Sequence, residues 1–178
     1  MSQTAETHAG NAGAVSMRSP TAADGERVWE LVKACPPLDE NSLYCNLLQC
    51  THFAGTCILA ELDGEAVGWV SAYRPPEQPE ALFIWQVAVH EKARGRGLAP
   101  RMIEALLERD PVKGVTRIET TITPGNKSSW ALFAKLADRL GAEMSSAVLF
   151  DRAKHFGGRH ESEHLVTIAP VRAGANAA

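Results

Sequence analysis

The chain has 178 residues, 45% of them hydrophobic and 22% charged, which is apolar material for one substantial core and points to a single domain. A net charge of -3 and a pI near 6.1 lack the basic surface that a general nucleic-acid binder needs to displace counterions, so small molecules are the expected partners and nucleic acid is not. No run is apolar enough to span a bilayer or to serve as a signal-peptide core, and Cys35, Cys45, Cys50 and Cys57 form no CxxC pair, so a soluble, cytoplasmic protein away from membranes is expected.

Residues 1–14 are small and polar and read as a disordered leader, with the folded domain over 15–170 and a frayed tail over 171–178. A short strand over 15–18 precedes a helix over 22–34, where Val28, Leu31 and Val32 recur at helical spacing until Pro36-Pro37 stops it. Asp39 and Asn41 then stand before a second helix bearing Leu43, Leu47 and Leu48. Either suits its cap, and a cap beside a cleft can also face a substrate. Runs over 56–62 and 66–73 flank Asp63-Gly64, a dipeptide favoured in tight turns, and predict an antiparallel hairpin.

The next run, Leu82 to Val89, is rich in aromatic and β-branched residues and leads through Arg94-Gly95-Arg96-Gly97 directly into a helix carrying Leu98, Met102, Ile103, Leu106 and Leu107 on one face. Glycines at 95 and 97 let the backbone turn sharply, and the first N–H groups of the helix lack internal partners. A phosphate there would meet free donors, the positive end of the helix dipole and two guanidinium groups. The spacing is neither GxGxxG after a first strand nor a P-loop closed by lysine and a hydroxyl residue. Beyond it come a strand over 115–121, a turn at 123–126, and a helix set by Trp130, Phe133, Leu136, Ala137 and Leu140 and closed by Gly141. A final β pair over 147–150 and 165–169 is joined by the polar loop 151–164.

Arg94-x-x-Gly97-x-Ala99 after Val87-Ala88-Val89 resembles the pyrophosphate loop of the GNAT superfamily of N-acetyltransferases, and the order of elements resembles their α/β fold, a mixed central sheet flanked by helices. The resemblance implies acetyl-CoA as cosubstrate and no metal. It implies that N–H groups of Arg94, Gly95, Arg96, Gly97, Leu98 and Ala99 hold the pyrophosphate, that Val87 and Val89 pair with the pantetheine arm, that a backbone N–H near Val87 receives the oxyanion, and that Asn126 contacts CoA. The proline turn 35–44, the run 83–90, the run Thr123-Pro124-Gly125-Asn126-Lys127-Ser128-Ser129-Trp130 and His160-Glu161-Ser162-Glu163-His164-Leu165 are together similar to the L-2,4-diaminobutyrate N4-acetyltransferases of ectoine biosynthesis. That likeness implies L-2,4-diaminobutyrate as acceptor and a homodimer. Asp39, Tyr44, Trp85 and Glu163 become the candidate acceptor residues, Glu163 the first choice for base or amine anchor, and His160 a further candidate. The superfamily tyrosine that protonates the CoA thiolate is replaced by Phe133, which leaves the acid unassigned.

Three other readings stand beside this one. One is an acetyltransferase for another small amine, and one is a non-catalytic acyl-CoA-binding module, which the missing tyrosine would suit. The third arises because residues 160–164 spell HExxH, the zinc-hydrolase pattern. Gly157-Gly158 before it and a β run after it argue against the helix that pattern requires.

Overall fold

The computed structural model describes residues 13–171. Strands β1 (Val15–Arg18), β2 (Ile58–Leu62), β3 (Glu65–Tyr73), β4 (Ala81–Val89), β5 (Arg117–Ile122), β6 (Glu143–Phe150) and β7 (Glu163–Ala169) form one sheet in the order β1-β2-β3-β4-β5-β7-β6. All neighbours are antiparallel except β4 and β5. Helices α1 (Gly25–Lys33), α2 (Leu43–Thr51), α3 (Leu98–Leu107) and α4 (Lys127–Leu140) flank it, giving the expected mixed sheet between helices.

Each face has its own core. Val28, Leu31 and Val32 of α1 and Cys50 of α2 pack on Leu59, Trp69 and Ala88 on one face. On the other, Met102, Ile103 and Leu106 of α3 and Phe133 and Leu136 of α4 pack on Val70, Ile84, Ile118 and Val166. The β2–β3 turn has Asp63 at φ 51 and Gly64 at φ 82, the left-handed pair whose twist matches a two-residue hairpin.

Several boundaries differ from expectation, among them β6, which begins at Glu143 and not at 147. Ser42 caps α2, its side chain accepting from the Cys45 N–H at 3.1 Å, because Asp39 and Asn41 are drawn to β4 instead. Val171 belongs to the fold: its side chain is buried and its N–H donates to the Thr116 carbonyl at 2.7 Å. Strand β7 begins at Glu163, so Glu163 and His164 lie in the sheet and the loop ends at 162. The leader over 1–12 and the tail over 172–178 lie outside the described residues.

Two irregularities in β4 shape everything that follows. The strand pairs with β5 only from Ala81↔Arg117 to Ile84↔Thr120, although it runs on to Val89, so its remaining edge is open. The His90 N–H donates to Val67 of the β3 side at 2.9 Å; by antiparallel alternation the Gln86 and Ala88 N–H groups also face β3, and those of Val87 and Val89 face the opening. Against β3, Ser71 pairs with Gln86 and Ala72 with Ile84, which leaves Trp85 as an extra, bulged residue. The bulge changes parity: Leu82 and Ile84, then Val87 and Val89, point into the α3/α4 core, while Trp85 and Gln86 both project toward the α1/α2 side.

Candidate active site

On one flank of the opening in β4 lies the arginine–glycine turn. His90 caps a short 3-10 turn over Glu91–Ala93, and Arg94 returns its Nε to the Val89 carbonyl at 3.0 Å. Gly95 and Gly97 take φ 74 and 65, which brings the chain round to start α3 at Leu98 with no side chain capping it. Among the described residues the N–H groups of Gly95, Arg96, Gly97, Leu98 and Ala99 make no hydrogen bond, and they lie at the positive end of the α3 dipole. One expectation needs refinement here, and a proline limits the site. The Arg94 N–H is committed to the Glu91 carbonyl at 3.1 Å, so it is not an open donor, and Pro100 in the first turn of α3 has no N–H to offer. Asn126 caps α4, its side chain accepting from the Ser129 N–H at 3.1 Å.

The other flank is built from elements far apart in the chain. Gln86, buried in the bulge, donates from Nε2 to the Asp39 carbonyl at 2.7 Å and accepts from the Asn41 side chain at 3.1 Å. Beside it Trp85 is 47% exposed, the outer ring of an aromatic wall in which Tyr73 packs at 5.2 Å from Phe83 and 6.4 Å from Trp85. Glu163 stands half-buried at the start of β7. Burial pushes its carboxyl above the usual carboxylate range and the nearby charge of Asp39 adds to this, whereas His160, Thr121 and His164 favour the charged form. Asp39 and Glu163 therefore lie close enough to influence one another, and Gln86, which follows Trp85, holds the Asp39 carbonyl.

His160 and Tyr44 are less embedded. The His160 ring packs at 4.8 Å on Phe156, and its Nδ1 lies 2.8 Å from the Glu161 carbonyl, which can only accept; Nδ1 therefore carries the proton and Nε2 is left for solvent or a ligand. Glu163 is 4.0 Å from that Nδ1, an electrostatic neighbour and not a hydrogen-bond partner. Tyr44 is 69% exposed on the first turn of α2, and the structure gives it no contact with the others. His160 lies in a bend, residues 161–162 have no regular structure and 163–164 lie in β7, so HExxH is not helical; among the described residues no three His, Cys, Asp or Glu side chains converge as a metal site. Phe133 is buried in the α3/α4 core and brings no hydroxyl toward the opening.

Sequence reasoning missed Gln86, Thr121 and Tyr73. The apolar positions 82, 84, 87 and 89 break strict alternation by one residue, and that break was the available signal for a bulge and for Gln86 turning toward Asp39.

Residues 25–137 match the model of the acetyltransferase (GNAT) family. The chain is 53% identical over 159 residues to the L-2,4-diaminobutyric acid acetyltransferase of Methylotuvimicrobium alcaliphilum, covering 89% of this chain and 92% of that one. The chain belongs to the diaminobutyric acid acetyltransferases of the GNAT family. The enzyme of that name from Vibrio cholerae is 50% identical over 85% of this acetyltransferase and 87% of its own length. The solved diaminobutyrate acetyltransferase of Paenibacillus lautus, in complex with its substrate L-2,4-diaminobutyric acid and coenzyme A, superposes on it with a TM-score of 0.84 at 40% identity, covering 89% of this chain and 96% of that one. Acetyl-CoA is the cosubstrate of this acetyltransferase family.

Proposed function

We propose that the enzyme transfers the acetyl group of acetyl-CoA to the side-chain (N4) amine of L-2,4-diaminobutyrate, giving N4-acetyl-L-2,4-diaminobutyrate for ectoine biosynthesis. The observation that carries this reading is the half-buried Glu163 carboxyl beside Asp39, on the sheet face reached from the opening in β4. The pyrophosphate lies on the N–H groups of Gly95 to Ala99 with Arg94 and Arg96 nearby, the pantetheine arm runs along Val87 and Val89, and Asn126 contacts CoA. An alkyl amine with a pKa near 10 arrives protonated. Glu163, its pKa raised by burial, takes that proton and gives it up to solvent, with the His160 ring as an electrostatic neighbour.

The neutral nitrogen attacks the thioester carbon. The oxygen that gains charge accepts from the Val87 N–H, fixed in advance by the strand. Collapse breaks the carbon–sulfur bond, the nitrogen loses its second proton to the base, and the thiolate leaves. With a pKa near 8.5 for an ordinary thiol, that thiolate is stable enough to be protonated by solvent, which is why Phe133 in place of a tyrosine is tolerable. Asp39 anchors the α-ammonium, and Trp85 and Tyr44 flank the carbon chain.

The enzyme works in the cytoplasm as a homodimer. Four free cysteines suit a reducing compartment: burial pushes Cys57 up to about 12 and Cys50 up to about 11, so both stay protonated and inert. The outer strand β6 exposes Val148, Leu149 and Phe150, an apolar stripe suited to a second copy. The reaction is tested by following free thiol with a panel of amines: diaminobutyrate should exceed ornithine and lysine clearly. Release with other amines alone would leave an acetyltransferase of different specificity, and release with none would leave a binding module.

A further inference from the structure

We propose that Gln86 is a positioning residue that clamps the Asp39 loop to the cofactor strand and thereby sets how tightly the acceptor amine is held. The inference rests on the acetyl-transfer reading above.

Residues 39–41 have no regular secondary structure. Among the described residues, three hydrogen bonds tie them to the rest of the fold. Gln86 Nε2 donates to the Asp39 carbonyl at 2.7 Å, Asn41 Nδ2 donates to Gln86 Oε1 at 3.1 Å, and the Trp29 indole donates to the Asn41 carbonyl at 3.1 Å. Two of the three end on one side chain, which uses both its donor and its acceptor and is only 7% exposed. Immediately before it is Trp85 of the aromatic wall, and immediately after it is Val87, whose N–H faces the opening.

The one-residue bulge is what makes this possible. Had β4 alternated regularly from Ile84 onward, residue 86 would point into the α3/α4 core with Ile84, and an amide there would be buried without partners. The inserted Trp85 turns Gln86 to the acceptor side. Acceptor anchor, aromatic wall and oxyanion donor are thus fixed by three consecutive residues of one strand. A shift of the Asp39 loop would leave the acetyl-CoA site intact and spoil only the fit of the amine.

The test compares Gln86→Met, which keeps length and loses both hydrogen bonds, with Gln86→Glu, which can still accept from Asn41 but opposes the Asp39 carbonyl. Asn41→Ala opens the same clamp from its other end and is the control should a change at the buried position impair folding. For Gln86→Met the KM for diaminobutyrate should rise about tenfold or more, with the KM for acetyl-CoA and the melting temperature nearly unchanged. Gln86→Glu should fall between it and the wild type, and Asn41→Ala should show the same one-sided rise. An unchanged amine KM in folded variants would overturn the clamp, as would amine and acetyl-CoA constants rising together with loss of melting temperature. If the wild type prefers another amine, that amine serves as the probe. A wild type that releases no thiol with any amine removes the acetyl-transfer reading and the clamp with it, an outcome distinct from an active wild type with unaffected variants.

Discussion

A carboxyl group that loses water on folding holds its proton longer, and Glu163, the proposed base for the amine, does so. Because its folded pKa is raised, the protonated form favours the fold: that contribution is complete below the unfolded carboxylate pKa and is lost as pH rises through the folded value. Activity runs the other way, since only the charged form can accept a proton. The acid limb of kcat/KM should therefore lie above the ordinary carboxylate range, and Glu163→Gln should lower kcat about 100-fold or more while acetyl-CoA binding by calorimetry is retained. Unchanged turnover would remove Glu163 from the mechanism. Asp24 shows the opposite sign. Bonds from Arg18 and Thr21 hold its buried carboxyl far below the usual range, so its contribution is present above the unfolded pKa and lost as pH falls through the folded one. Asp24→Asn should cost about 2 kcal/mol in denaturant unfolding at pH 7, on the low side for a buried pair because both arginines are partly exposed. Glu163 could be named from the sequence because a motif carried it. Capping was the better reading of Asp39 from sequence, and Ser42 at the cap decides against it, with Gln86, 47 residues away, bonded to the Asp39 carbonyl.

At the scale of elements, local chemistry was well written into the chain. Helical spacing gave α1, α3 and α4, Asp63-Gly64 gave the hairpin, and Gly141 at φ 60 ends α4 where a left-handed closing residue was expected. The cofactor turn follows the same logic. Gly97 takes φ 65 with nothing within 4 Å of where a Cβ would stand, so the demand on it is conformational and not steric. Gly97→Ala should lower stability by about 1 kcal/mol and weaken CoA binding, measured by denaturant midpoint and calorimetric titration. Equal CoA affinity would argue that this turn does not hold the pyrophosphate. The divergence of β4 from β5 was not legible in advance, because it depends on which strands become neighbours, and the register slip at Trp85 left only the break in alternation as its trace. The HExxH reading fails for a related reason: the same five letters that suit a helix lie partly in a bend and partly in β7, where pairing with β5 and β6 fixes His164.

For the molecule as a whole, the sheet order leaves β6 as an outer edge with Val148 54% and Phe150 43% exposed, a surface a lone soluble protein would seldom keep bare. Sedimentation should give the mass of a dimer, and Phe150→Lys should shift it toward monomer; a wild-type monomer at micromolar concentration would contradict the dimer. The division of labour across the sheet is what makes a transferase of this fold. One face carries the open edge of β4 and the uncapped start of α3, the other carries Asp39, Trp85 and Glu163 from three separate parts of the chain, and on the proposed mechanism the acetyl group crosses between them. The most direct test of that account is to run the reaction with carbon-13-labelled acetyl-CoA and L-2,4-diaminobutyrate and to locate the label by NMR. The acetyl group should appear on N4 with the α-amine free. Label on the α-amine, or none on diaminobutyrate at all, would contradict it.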